Sequence, residues 1–184
     1  MNTLLHYIMI MATLASTSQG IGQTFTLTSK DVGGQATMQQ VFNEFGCTGA
    51  NLSPELSWSN APAGTKSFAI TMYDPDAPTG SGWWHWTVFD IPVGTSSLAS
   101  GAGDVNKGLL PAGALQGQTD FGVVGYGGPC PPPGHGPHQY LITIHALDIE
   151  TLGLTTSASA PMVGFTVNQH TLAKATIVFY YERK

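Results

Sequence analysis

Ser67-Phe68-Ala69-Ile70-Thr71-Met72-Tyr73-Asp74 and His85-Trp86-Thr87-Val88-Phe89-Asp90-Ile91 are the segments whose reading decides the fold class. The first alternates, with Phe68, Ile70 and Met72 facing one way and Ala69, Thr71 and Tyr73 the other. A period of two is the signature of a strand half-buried on each face. The second predicts another strand, with Thr87, Phe89 and Ile91 on one face. Between them, Pro75-Asp76-Ala77-Pro78-Thr79-Gly80-Ser81-Gly82-Trp83-Trp84 is dense in turn formers. If the two strands run antiparallel, Asp74 and His85 meet at one end of the sheet.

Working outward, Tyr140 to Leu147 predicts a third long strand, with Ile142 and Ile144 on the face of Tyr140. Lys174 to Glu182 predicts a fourth, rich in Ile, Val, Phe and Tyr. Phe25 to Ser29 and Leu56 to Ser59 add shorter ones. Pro161 to Leu172 predicts a helix, with Pro161 suited to a first turn and Met162, Phe165, Gln169 and Leu172 sharing a face. Thr37 to Phe42 suggests a second, short helix. Gly101 to Gly117 and Gly125 to Pro137 are loops by their Gly and Pro content. The residues therefore predict a mainly β chain with one or two helices at its edge.

Composition bounds the function. With 184 residues the chain is long enough for one domain with a real core. Only 9% of residues are charged, the net charge is −5, and Arg183 is the one arginine. Nothing here could neutralise a run of phosphates, so nucleic acid is an unfavoured partner. Leu4 to Ala15 is apolar apart from His6 and Thr13, and Ser18-Gln19-Gly20 offers small residues at both key positions of a cleavage site. This reads as a signal peptide over residues 1–20, leaving 21–184 as a single domain without a membrane segment. The expected location is periplasmic or secreted. Two cysteines, Cys47 and Cys130, suit one disulfide in that oxidising setting, or two separate buried thiols. Asn51-Leu52-Ser53 matches the glycosylation pattern, weakened by the following Pro54.

His138 opens the third long strand, after Gly125-Tyr126-Gly127-Gly128-Pro129-Cys130-Pro131-Pro132-Pro133-Gly134-His135-Gly136-Pro137. Pairing in the orientation of the His85 strand would bring it to the end that holds Asp74. The prolines stiffen this loop. N–H groups near Gly127 and Gly128 could form an anion nest. A histidine can donate to an anion, and an aspartate can orient it. Structural roles are expected for His145 and His170, and a turn role competes with a site role for Asp76. Trp83, Trp84 and Trp86 read as core or as a binding platform.

Tyr73-Asp74-Pro75-Asp76-Ala77-Pro78, Trp84-His85-Trp86 and Gly134-His135-Gly136-Pro137-His138-Gln139-Tyr140 together resemble the phosphatidylethanolamine-binding protein family, in its bacterial Raf-kinase-inhibitor-like subgroup. Phe45-Gly46-Cys47, Asn51 to Trp58 and Asn60 to Ser67 are similar to it as well, so the likeness spans nearly all of the mature chain. The resemblance implies two packed sheets with peripheral helices. It also implies a small pocket for phosphate, carboxylate or phosphorylated head groups. The implied ligand-binding residues are Asp74, Asp76, His85, Pro132, His138 and Tyr140, with no cofactor and no metal. The family's usual arginine after the second histidine is Gln139 here, which predicts a less basic pocket. The expectation is a non-catalytic binding protein. An exported inhibitor of an enzyme or receptor is the alternative. Behind both stands a metal-dependent hydrolase built on Asp74, His85 and His138, whose types match a two-His, one-carboxylate site.

Overall fold

A computed structural model describes residues 23–184. The expected signal peptide lies outside the described residues. The elements in chain order are β1 (Thr26–Thr28), β2 (Leu56–Ser59), β3 (Ser67–Asp74), β4 (Trp83–Pro92), β5 (Ser97–Leu98), β6 (Leu115–Gln116), β7 (His138–Leu147), α1 (Ala160–His170) and β8 (Thr171–Tyr181). They form two antiparallel sheets, a small one ordered β1-β2-β5 and a large one ordered β6-β4-β3-β7-β8. The mainly β fold expected from the alternating segments is the fold observed. Among the described residues no helix is long and apolar enough to cross a membrane.

Alternation in β3 decides how the layers stack. Phe68, Ile70 and Met72 face the small sheet and pack with Leu56, Trp58, Trp86, Val88, Ile91, Tyr140, Ile142 and Phe179. Ala69 faces the other way, into a second core with Phe89, Leu147, Val163 and Val167 under α1. Burying a side chain of this size contributes about 1.5–3 kcal/mol, so this inner face is the main source of stability.

Three expectations change. Thr37 to Phe42 is a turn segment and not a helix. Its Thr37 side chain and backbone N–H both bond the Gln40 side chain, which closes a compact turn. The helix near the C-terminus exists, but Met162 and Phe165 point to solvent, and Ala160, Val163, Gly164 and Val167 form the buried face. Gly164 is the reason: a Cβ there would lie 3.0 Å from the Trp84 ring, so the helix seats on the sheet through its smallest residues. Ile91 is not on the face of Thr87 and Phe89. Between the Phe68–Ile91 and Ile70–Val88 pairs, β4 sets two residues (Phe89 and Asp90) against one of β3 (Ala69), and Asp90 takes φ 57° at the resulting bulge. Ile91 is thereby turned into the inner core.

Cys47 and Cys130 form a disulfide across 83 positions, with their Cα atoms 6.0 Å apart. It ties the turn after Phe42 to the Pro-rich loop before β7. The tie is reinforced by Arg183, whose guanidinium donates to the Phe45 and Gly46 carbonyls. Closing a loop of this length contributes about 4–5 kcal/mol in the chain-entropy account. The double substitution Cys47→Ser with Cys130→Ser is expected to lower the free energy of urea unfolding by several kcal/mol at pH 7. Identical unfolding curves for oxidised, reduced and substituted protein would refute this role.

Candidate functional site

The antiparallel β3–β4 and β3–β7 pairings bring the end of β3 and the starts of β4 and β7 to one edge. Asp74, His85 and His138 all line one cavity there. It measures about 230 Å³, and Tyr140 completes its polar floor. Phe45, Trp83, Phe121, Pro131 and Pro132 form most of its apolar wall.

A second bulge delivers His85. Met72 pairs with Trp86 and Tyr73 with Trp84, so His85 is a surplus residue with no partner on β3. Simple alternation would send His85 to the face opposite Trp86, toward α1. The bulge lets both face inward, and the His85 ring packs edge-on against Tyr140 (5.1 Å between centroids) and Phe121 (5.3 Å). Asp74, His138 and Tyr140 reach the same face by ordinary alternation.

The polar groups can be counted one by one. His138 Nδ1 donates to Asp74 Oδ2 at 2.8 Å. The other Asp74 oxygen accepts the Asp76 backbone N–H at 2.8 Å. His138 Nε2 is 2.7 Å from His135 Nδ1. Both nitrogens of His138 and both oxygens of Asp74 are therefore engaged within the protein. His85 Nδ1 donates to the Gly127 carbonyl at 2.7 Å, which fixes the tautomer. Its Nε2 makes no hydrogen bond to a described residue and carries the lone pair when the ring is neutral. Burial drives the His85 pKa down to about 4, against smaller upward pulls from the Gly127 carbonyl and Asp74. The Tyr140 hydroxyl and Trp83 Nε1 are buried without a partner among the described residues. Burial, and then the Asp74 carboxylate, raise the Tyr140 pKa, yet the Tyr140–Asp74 approach falls short of hydrogen-bond geometry. Tyr140 is thus held as a neutral donor.

Other expectations resolve as follows. Pro132 lines the cavity, and Asp76 does not: its Oδ2 accepts the Gln139 N–H at 2.8 Å, pinning the β3–β4 loop to β7. The anion nest at Gly127 and Gly128 is absent. Gly127 N–H donates to the His85 carbonyl and Gly128 N–H to the Asn51 side chain, so neither is free. These glycines admit protein instead of ligand, since a Cβ on Gly127 would strike the Phe121 ring and one on Gly128 the Gln40 carbonyl. Asn51 also donates to the Tyr126 carbonyl, so its side chain is a structural bracket. Gln139 sits between His138 and Tyr140 in β7, on the opposite face, and is not a lining residue. The expected loss of basicity inside the cavity therefore does not follow from position 139. His145 and His170 lie away from the cavity, bonded to Thr171 and Asp148. Of the three tryptophans only Trp83 lines it; Trp86 is core, and Trp84 packs on Tyr73 and α1. Phe45 and Phe121 were not foreseen. Neither lies in a patterned segment, and only the Cys47–Cys130 bridge hinted that the Phe45 turn meets the Pro131 loop.

The family model for phosphatidylethanolamine-binding protein matches residues 28–182. The UPF0098 protein YbcL of Escherichia coli is 49% identical over 162 residues, covering 87% of this chain and 88% of its own. The UPF0098 protein YbhB of the same organism is 53% identical over 141 residues, 76% of this chain and 87% of its own. The crystal structure of E. coli YbcL, described as a new member of the mammalian PEBP family, superposes with a TM-score of 0.85 over 87% of this chain and 99% of that one. A putative PEBP homolog from Chlamydia trachomatis, 29% identical, reaches 0.71 over 87% and 98%.

Burial of neutral histidines has a consequence for acid stability. His85 and His145 are both held near pKa 4 by burial, with Lys174 adding to the effect at His145. The unfolded chain takes up these protons at about pH 6.5. It binds more protons than the native state between those values, so stability falls as pH drops from about 6.5 toward 4. The expected loss is on the order of 3 kcal/mol for each histidine. Urea unfolding at pH 7.5, 5.5 and 4.5 measures it, and His145→Asn should flatten the slope. A pH-independent stability over this range would contradict the burial argument.

Proposed function

The chain belongs to the phosphatidylethanolamine-binding protein family, and on that premise we propose that it is an exported, non-catalytic binding protein whose cavity takes a small oxyacid. Phosphate, a phosphorylated head group and a carboxylic acid share the required chemistry. The observation that carries the reading is the Tyr140 hydroxyl, buried without a partner among the described residues in the cavity that the His85 ring, its Nε2 open, also lines, the two ring centroids 5.1 Å apart. A buried donor without an acceptor is unfavourable by about 1–3 kcal/mol, and a ligand oxygen relieves it.

The same inventory sets the ligand's protonation. Among the described residues no Lys or Arg lines the cavity, and Asp74 brings a carboxylate to its floor. Neutral His85 offers an acceptor, while Tyr140 and Trp83 offer donors. The complement is an oxyacid that keeps one proton: a monoanionic phosphoryl group or a carboxylic acid. Whether the proton travels on the ligand or joins His85, binding takes up one proton. Affinity should therefore rise as pH falls, by roughly tenfold per unit, down to the ligand's own pKa where the proton rides on the ligand and down to the free His85 value of about 4 where it joins His85.

A hydrolase reading finds less support. The two-His, one-carboxylate set is consumed internally by the bonds of Asp74 and His138. Among the described residues no three His, Cys, Asp or Glu side chains converge for a metal ion. Export is supported by the apolar run from Leu4 to Ala15 and by a disulfide of the kind that persists in oxidising compartments.

NMR titration with inorganic phosphate and with acetate at pH 7.5 and 5.5 tests the binding reading. Wild type should bind more tightly at the lower pH, and Tyr140→Phe and His85→Ala should each weaken binding about tenfold or more. Equal responses in all three proteins would reject the site. Mass spectrometry of the protein recovered from the periplasm or medium tests export, with Ile21 expected as the first residue. Full-length protein retained in the cytoplasm would reject it.

A further inference from the structure

His135 is an exposed loop residue, yet its ring is bonded to a histidine that is only 2% exposed. The ring centroids are 5.0 Å apart and the planes meet at 59°. His138 Nδ1 must carry a hydrogen, because its partner is the Asp74 carboxylate. The 2.7 Å contact between His138 Nε2 and His135 Nδ1 then needs one hydrogen, and one only. Two arrangements satisfy it: neutral His138 accepting from His135, or cationic His138 donating to neutral His135. In both, His138 Nε2 is closed to any ligand. The first proton added to the neutral pair is held with the bond intact; a second leaves two N–H groups and two positive charges facing each other, and the contact becomes repulsive.

The two rings are not equally free to move. His138 is on β7, paired with Tyr181 and held by Asp74. His135 lies between Gly134 (φ 72°) and Gly136 (φ 85°), and a Cβ on either would meet nothing within 4 Å. The backbone of this turn is held, Gly134 N–H by the Arg183 carbonyl and His135 N–H by the Pro132 carbonyl, and the open space around it leaves room for the exposed His135 side chain to swing away. The ring that leaves is His135.

We propose that His135 is a proton-operated latch on the cavity. Holding one shared proton, it covers His138 Nε2. A second proton releases it and leaves His138 as an imidazolium, anchored by Asp74, that presents an N–H to the cavity. The ionisable groups around the pair agree with this. Asp74 from β3 favours the charge, and Asp76 in the β3–β4 loop is nearby and engaged with the Gln139 N–H. His85 from β4, Tyr140 of β7 and Tyr181 of β8 supply no competing positive charge at neutral pH. His135 thus acts as a positioning residue, setting when a second histidine joins His85 in holding a ligand. The ligand half of this proposal rests on the oxyacid reading; the latch itself does not.

The test uses the mature protein, labelled with ¹⁵N. Without ligand, ring NMR from pH 8 to 4.5 should show scalar coupling across the His135–His138 hydrogen bond at high pH and its loss on acidification. The His138 Nδ1–H signal should persist throughout. With inorganic phosphate, His135→Ala should bind roughly three- to tenfold more tightly than wild type at pH 7.5 and equally at pH 5, giving a flatter pH profile. A His135→Phe variant, which fills the tip without a nitrogen, should behave as His135→Ala. A hydrogen bond absent at pH 8, or intact at pH 4.5, overturns the latch whatever phosphate does. Parallel profiles for wild type and both variants also overturn it. A latch signal that responds to pH as expected, in protein that never binds phosphate or acetate, refutes the oxyacid reading alone.

Discussion

One surplus residue in β4 decides whether a cavity with this chemistry exists. β3 is the central strand of the large sheet, and its phase is set by Phe68, Ile70 and Met72 entering the inner core. That phase sends Asp74 inward, and the β3–β7 register sends His138 and Tyr140 inward too. It would send a regular β4 the wrong way, because Trp86 already occupies the inner core. The bulge absorbs the conflict: Trp86 keeps its core position, His85 joins the same face, and Trp84 still reaches the helix side. Flattening this bulge would exchange a large core aromatic for an imidazole, so the sheet's own packing enforces the site.

The rest of the polar arrangement follows from burying a carboxylate. Asp74 is 3% exposed, and an ionised group so placed needs hydrogen bonds on both oxygens. It takes one from His138 and one from the Asp76 backbone. Asp76 in turn holds the start of β7 through Gln139 N–H, so the turn that shapes one wall is fastened to the strand that supplies two floor residues. His85 is fastened differently, by mutual bonds with Gly127 in which the ring donates to the carbonyl and the glycine N–H to the backbone of His85. The Gly-rich loop is therefore a bracket for His85, and its glycines are required because Phe121 and Gln40 press against it.

Much of this was legible in the residues. Period-two alternation marked three of the long strands and β-branched and aromatic content the fourth, and antiparallel pairing across turn-rich connections allowed Asp74, His85 and His138 to share one edge. What escaped has a common cause. Bulges insert one residue without a compositional signal, so Ile91 was assigned to the wrong face and the device that turns His85 inward was invisible. The helix at 160–170 was found, but its buried face was misjudged, because Met162 and Phe165 carry more apolar surface than Val163, Gly164 and Val167. Close approach to Trp84, and not hydrophobicity, selects the small face. The Gly127–Gly128 nest failed because free N–H groups cannot be distinguished from engaged ones until long-range partners such as Asn51 are in place. Phe45 and Phe121 belong to segments with no periodicity: the disulfide and Arg183 hold the first at the cavity, and paired bonds between Asp120 and the Trp84 backbone hold the second.

The cavity's charge is the remaining physical point. A phosphate site is commonly built from arginine, lysine or free backbone N–H groups. Here the sole arginine, Arg183, is turned onto the Phe45 and Gly46 carbonyls, the nearby N–H groups are engaged, and position 139 faces away. Apolar walls and a carboxylate would repel a fully ionised anion. What the cavity has to offer is two hydrogens on neutral groups, the Tyr140 hydroxyl and the Trp83 indole, and the lone pair of His85 Nε2. On the proposed oxyacid reading, a site built this way would discriminate by protonation state, preferring an acid that still carries a proton over its fully ionised form. The low pKa of His85 is part of the same design, because a ring that stays neutral keeps a lone pair for that proton.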